Sequence, residues 1–177
     1  MPHPRRRRNL VGTAFQALAS KAPPRPPLSH VLTATLAVTL PLAFIGFAAD
    51  HTHIALLIPP MAATVALIVG GPDLPLAQPR NVILGHLIGA LIGNALAAAW
   101  PGLILVGGVA AGLAFGAMLL LRSAHSPGAA TAMLLVVLPT EDPWLFLAVL
   151  MASAVLSVTA GLVANRVRRL RYPAYWW

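Results

Sequence analysis

Six apolar segments decide what this chain can become. They run over about 30–49, 54–70, 82–100, 103–121, 127–138 and 143–165. Of 177 residues, 58% are hydrophobic and only 9% are charged. A soluble domain has about 25% charged residues. Backbone in hydrocarbon must satisfy its own hydrogen bonds, and helices do this within each segment. The expected fold is therefore all-α: a polytopic membrane protein whose transmembrane domain covers 29–165. A spanning helix needs about 20 residues, so no second folded domain fits. Two segments are irregular. The second is interrupted by Pro59 and Pro60. The fifth covers only about 18 Å of an apolar core about 30 Å thick.

The net charge of +8 is concentrated at the ends. Arg5, Arg6, Arg7, Arg8, Lys21 and Arg25 precede the apolar segments, and Arg166, Arg168, Arg169 and Arg171 follow them. Beside spans, such clusters set orientation or meet anionic lipid heads, so membrane lipid rather than nucleic acid is the expected partner. Residues 1–28 are expected to form a disordered, proline-rich cytoplasmic tail, and 166–177 a basic and aromatic one. Six crossings with the N-terminus inside put Arg80, Arg122 and the C-terminal arginines on the cytoplasmic side. Asp50, Glu141 and Asp142 then lie outside. If segments two and five turned back, Arg80 and Arg122 would move outside, against the usual bias. Six crossings are expected, with both termini cytoplasmic, in the inner or plasma membrane of a bacterium.

One phrase occurs twice. "PMAATVALIV" starts at Pro60, and its counterpart starts at Pro127 within "HSPGAATAML", 67 residues later (127 − 60 = 67). Pro, Ala, Ala, Thr, Leu and Val recur in register, pairing Thr64 with Thr131. Repeats of about 30–100 and 103–165 follow. Three segments per repeat is odd, so the second repeat is expected to be inverted, as in many transporters with broken helices. Gly85, Gly89 and Gly93 make a double G-x-x-x-G, as do Gly108, Gly112 and Gly116. Both are expected to be helix-packing seams, within the chain or between copies in a homo-oligomer.

Polar residues in or beside the apolar segments, and the prolines that break them, are functional candidates, because a polar group in hydrocarbon needs a partner and a broken helix frees backbone groups. These are Pro60, Thr64, Gln78, Arg80, Asn81, His86, His125, Pro127 and Thr131. Proline suits a first helical turn. Pro60 and Pro127 therefore read as starts of half-helices whose free N–H groups would converge near the midplane and favour an anion. No enzyme signature is present. The acids Asp50, Asp73, Glu141 and Asp142 all fall in loops, and Ser126 cannot be activated by its neighbour His125, since adjacent helical residues diverge. Asp50, His51 and His53 make a poor metal site. No metal or cofactor is expected. The chain has no cysteine, hence no disulfide and no thiolate metal site.

"PDLPLAQPRNVILGHLIGALIG" together with "HSPGAATAML" resembles the HPP family of integral membrane proteins over roughly residues 30–165. Pro75–Asn81, Gly85 and His86 carry the resemblance most specifically. The His-Pro-Pro signature reads His125-Ser126-Pro127 here, and Gly128 and Ala129 stand in exchanged order. The resemblance implies four membrane spans rather than six and a transporter, with nitrite as the best guess for the substrate. His125, Arg80, Gln78 and Asn81 would line its path. Two alternatives stand beside the anion path: a scaffold or sensor binding a partner through its glycine faces, and a proton- or cation-linked carrier using His86 and His125.

Overall fold

The computed structural model describes residues 24–52 and 59–177. The basic stretch 1–23, most of the expected tail, lies outside the described residues, as does His53. Six α-helices follow in order: α1 Leu28–Thr52, α2 Pro59–Gly70, α3 Pro79–Ala99, α4 Ile104–Leu120, α5 Ser126–Val137 and α6 Pro143–Val167. A 3-10 turn, Pro75–Ala77, precedes α3, and there is no strand among the described residues. The chain is an all-helical membrane protein in architecture. α1, α3 and α6 are long and apolar enough to cross a membrane, while α2, α4 and α5 are shorter.

Prolines place most of the helix starts. α2, α3, α5 and α6 each carry proline in the first two positions, where a missing N–H costs nothing. Pro59 and Pro60 are the first two residues of α2, and residues 53–58, where the expected second segment starts, lie outside the described residues. Pro79 begins α3 earlier than the apolar run suggests, so Arg80 and Asn81 belong to its first turn and not to a loop. Asp142 caps α6, accepting from the backbone N–H of Trp144 at 3.1 Å and Leu145 at 2.9 Å. α1 runs through Pro41 and past Asp50, which therefore sits in a helical last turn.

The helices pack in a pattern that is unchanged when the two halves are exchanged. α1 lies along α2 and α6; α4 lies along α5 and α3; α2 touches α5, and α3 touches α6. The two short helices are also finished alike. At the end of α2, the Ile68 carbonyl accepts from Asn165 Nδ2 and the Val69 carbonyl from Arg168 Nη1, both just past or within the end of α6. At the end of α5, the Val136 carbonyl accepts from the Gly102 N–H, just past α3, at 2.7 Å. Carbonyls that a 12-residue helix leaves orphaned are thus satisfied by the other half of the chain.

Direction follows from these contacts. The start of α3 (Arg80, Ile83) lies against the later part of α6 (Val158, Leu162) and against Trp177. α3 and α6 are therefore antiparallel, and Arg80 is at the same end of the bundle as the C-terminus. Four passes with segments two and five turning back would make α3 and α6 parallel. The chain instead runs from one end of the bundle to the other six times, with α2 and α5 each making about 18 Å of that distance as helix.

The core joins Met61, Ile68, Val82, Ala90, Leu135, Leu150 and Ala154 from α2, α3, α5 and α6, with a second cluster of Ala110, Ala114, Met118, Ala132 and Val136 between α4 and α5. The first glycine stripe is spent here. A Cβ on Gly85 would strike His125, one on Gly89 the Gly128 carbonyl, and one on Gly93 the Ala132 backbone. These glycines therefore form the α3–α5 seam inside one chain and are not free for a homo-oligomer. Gly108, Gly112 and Gly116 face open space. Large apolar side chains such as Leu36, Leu40, Leu105 and Leu113 cover the outer faces of α1 and α4, as lipid contact requires.

Candidate functional site

Four polar side chains meet in the centre of the bundle, all fully buried: Thr64 of α2, His86 of α3, His125 just before α5, and Thr131 of α5. Thr64 Oγ1 lies 2.8 Å from His86 Nε2 and 3.0 Å from His125 Nε2. The two Nε2 atoms are 3.3 Å apart, with the rings edge to face. His86 Nδ1 lies 3.0 Å from Thr131 Oγ1. His125 Nδ1 lies 2.7 Å from the Leu76 carbonyl, which can only accept, so this nitrogen carries a hydrogen. Each threonine is also within reach of a carbonyl one turn back, Pro60 at 2.9 Å and Pro127 at 3.1 Å.

The repeated phrase therefore has a physical product: its two threonines hold the two histidines. The expected convergence of two helix N-termini does not occur. The start of α2 (Pro60, Ala63) lies beside the later part of α5 (Met133, Val137), while Thr64, further along α2, meets His125 before α5. The helices run antiparallel and cross near their threonines, so their positive ends point opposite ways. Pro60 and Pro127 enter the cluster only through their carbonyls.

Glycine makes this approach available. His125 presses on Gly85, and Gly128 meets the Gly85 carbonyl. With the backbones this close, His86 reaches across to Thr131 on one side and Thr64 on the other. No third histidine or acid joins the cluster; among the described residues no group of three metal-type ligands exists.

A second polar site lies at the arginine-rich end. Arg80 and Arg122 line a cavity of about 420 Å³ with Tyr175 and Trp177. Arg80 Nη1 donates to the Arg122 carbonyl at 2.6 Å and Nη2 to the Leu121 carbonyl at 3.0 Å, and its guanidinium carbon lies 5.3 Å from the Trp177 ring centre. Its Nε is buried with no partner. Arg122 has φ +54°, and its exposed side chain makes no bond. Neither arginine pairs with an acid. Two guanidinium groups outside any ion pair thus face one cavity.

The remaining candidates are structural ties. Gln78, fully buried, donates to the Pro72 and Leu74 carbonyls and accepts from the Ala174 N–H. Asn81 donates to the Ala124 carbonyl at 3.1 Å and leaves its Oδ1 unpartnered. Neither lines the arginine cavity. Tyr172 donates to the Ala77 carbonyl at 2.9 Å, and burial pushes its phenol above the ordinary tyrosine range. Residues 172–177 thereby fold back over the Pro75–Arg80 stretch. Sequence reasoning missed that arrangement, and it missed Arg122 as the partner of Arg80 in a cavity. The only signals available were the aromatic ending and the isolated arginine before "HSP".

The profile of the HPP transmembrane region matches residues 23–173. The chain belongs to the HPP family. A transmembrane protein of Dictyostelium discoideum is 35% identical over 170 residues, covering 89% of this chain and 59% of that protein. A second transmembrane protein of the same organism is 37% identical over 128 residues, covering 66% of this chain and 40% of that one. The HPP chain described here thus spans less than two thirds of either relative. No solved structure matches it. Both stretches that carried the resemblance are at the sites: Pro75–Asn81 forms the 3-10 turn and the start of α3, and His125-Ser126-Pro127 opens α5. Ser126 is exposed, so the serine in place of the signature's middle proline points away from the histidine cluster.

Proposed function

We propose that this HPP protein is a conduit, not an enzyme, for a small inorganic anion, with nitrite the best guess. The anion is taken up in the cavity of Arg80 and Arg122 on the cytoplasmic side of a cellular membrane. The single observation that supports this most is the pair of guanidinium groups facing one cavity, neither of them in an ion pair. A cavity with that charge raises the local concentration of anions and disfavours cations. The buried donor at Arg80 Nε is a hydrogen-bonding group in want of an acceptor.

The test is nitrite uptake into proteoliposomes, with chloride and nitrate as competitors. Arg80 is a poor probe because it also ties two loop carbonyls, so Arg80→Ala loses fold and function together. Arg122 separates the two. Glycine accepts its φ of +54° without strain, so Arg122→Gly removes the charge at no cost to the backbone. For an exposed charge worth up to about 1 kcal/mol, the half-saturating nitrite concentration rises about two- to fivefold. Folded yield stays the same, and Arg122→Lys restores most of the affinity. Uptake equal to that of empty liposomes, or unchanged saturation in Arg122→Gly, would count against the proposal.

A further inference from the structure

The central cluster shares a small set of hydrogens. With both histidines neutral there are four: two ring N–H groups and two hydroxyls. One assignment satisfies every contact atom. Thr131 donates to His86 Nδ1, His86 Nε2–H to Thr64, Thr64 to His125 Nε2, and His125 Nδ1–H to the Leu76 carbonyl. Now add one proton, at His86 Nδ1. The new N–H donates to Thr131 Oγ1, and the Thr131 hydroxyl hydrogen rotates to the Pro127 carbonyl, already 3.1 Å away. Five hydrogens make five bonds and no heavy atom moves. A second proton, on His125, sets two like charges 4.9 Å apart between ring centres with nothing to offset them.

The surroundings are empty of other titratable partners. α2 offers Thr64; the 3-10 turn offers the Leu76 carbonyl; α5 offers Thr131. α4 has no titratable residue, and α6 has only Arg166, near its end. No arginine or acid among the described residues bonds to either ring. A lone positive charge in such a core is costly unless an anion accompanies it. We propose that the His86–His125–Thr64–Thr131 cluster holds one proton and that the anion crosses with it, one for one, so that transport is electroneutral and driven by a proton gradient. This rests on the anion reading above. The balance is complete: one proton leaves water with one nitrite on one side and both are released on the other.

Nitrite is the probe. Initial uptake into proteoliposomes is measured, less that of empty liposomes, first with a tenfold inward proton gradient and then with a tenfold potassium gradient and valinomycin. The proton gradient is expected to raise protein-dependent uptake severalfold, up to tenfold, and the potential to leave it unchanged. Uptake that follows the potential and ignores the proton gradient overturns the coupling and leaves the anion reading intact. No protein-dependent uptake under either drive overturns the anion reading. His86→Gln is expected to abolish the response to the gradient. Because that variant can fail to fold, the proton site is read independently in the unaltered protein, ¹⁵N-labelled at histidine and held in lipid nanodiscs. One ring of the buried pair, and only one, is expected to gain the imidazolium signature as pH falls. Two rings that stay neutral while the fold persists, or two that both charge, overturn the site whatever the flux shows.

Discussion

Thr64 is the residue on which the two histidines depend. Among the described residues, its hydroxyl is the only one within bonding reach of both Nε2 atoms. Valine has nearly the same shape and no hydroxyl, so Thr64→Val removes the bridge between the rings and leaves His86 Nε2–H only the longer 3.3 Å contact with His125 Nε2. Losing a net hydrogen bond in this way costs about 0.5–1.5 kcal/mol. Thermal unfolding in lipid nanodiscs should show a clear loss of stability for Thr64→Val and recovery of most of it for Thr64→Ser. Equal loss in both would mean that the methyl group, and not the hydroxyl, is what matters there. The pairing of Thr64 with Thr131 could be read from the repeated phrase, but their partners could not. His86 and His125 are 39 residues apart on different helices, and no spacing rule joins them. For the same reason Arg80 could be marked as a candidate while its binding to two loop carbonyls stayed hidden, since carbonyl acceptors leave no trace in a sequence.

At the scale of elements, two glycine stripes with the same spacing have opposite fates. The stripe on α3 is closed by α5, and the stripe on α4 is open. Spacing alone reports that backbones can approach, not which helix arrives. Gly89→Ala should therefore cost the protein its fold, because the new Cβ meets the Gly128 carbonyl, and fixed backbone cannot yield cheaply. Gly112→Ala meets nothing within 4 Å and should leave the monomer's stability unchanged. The same variant separates two readings of function. An anion path through the bundle is indifferent to it, whereas a scaffold that binds its partner through the α4 face loses that partner. Unchanged nitrite uptake by folded Gly112→Ala is expected; a protein that carries no nitrite and whose co-purifying partner is lost in Gly112→Ala would favour the scaffold. Helix starts were legible because proline is a local signal. The ends of α2 and α5 were not, because Asn165, Arg168 and Gly102 finish them from about 35 to 100 residues away along the chain.

At the scale of the whole molecule, the packing fixes which segments share each end of the bundle. Arg80 joins the loop at Leu121 and Arg122 and lies against Trp177, so the turn between α4 and α5 and the C-terminal segment share one end of the bundle. Gly102 and Val136 meet at the other. Charge agrees, since Arg80, Arg122 and the C-terminal arginines then sit together on one side. The chain has no cysteine, so single cysteines can report on sidedness without background. Ser126→Cys and Arg171→Cys both replace exposed residues at the arginine-rich end, and Glu141→Cys replaces an exposed residue in the turn after α5, at the other. A membrane-impermeant maleimide applied to sealed vesicles should label Ser126→Cys and Arg171→Cys from the same side and Glu141→Cys from the opposite one. Four crossings would instead put Ser126→Cys opposite Arg171→Cys, because segment five would dip in and return on the far face. That result would require α3 and α6 to be parallel in the membrane, against their antiparallel packing, and would move the arginine cavity to the outer surface.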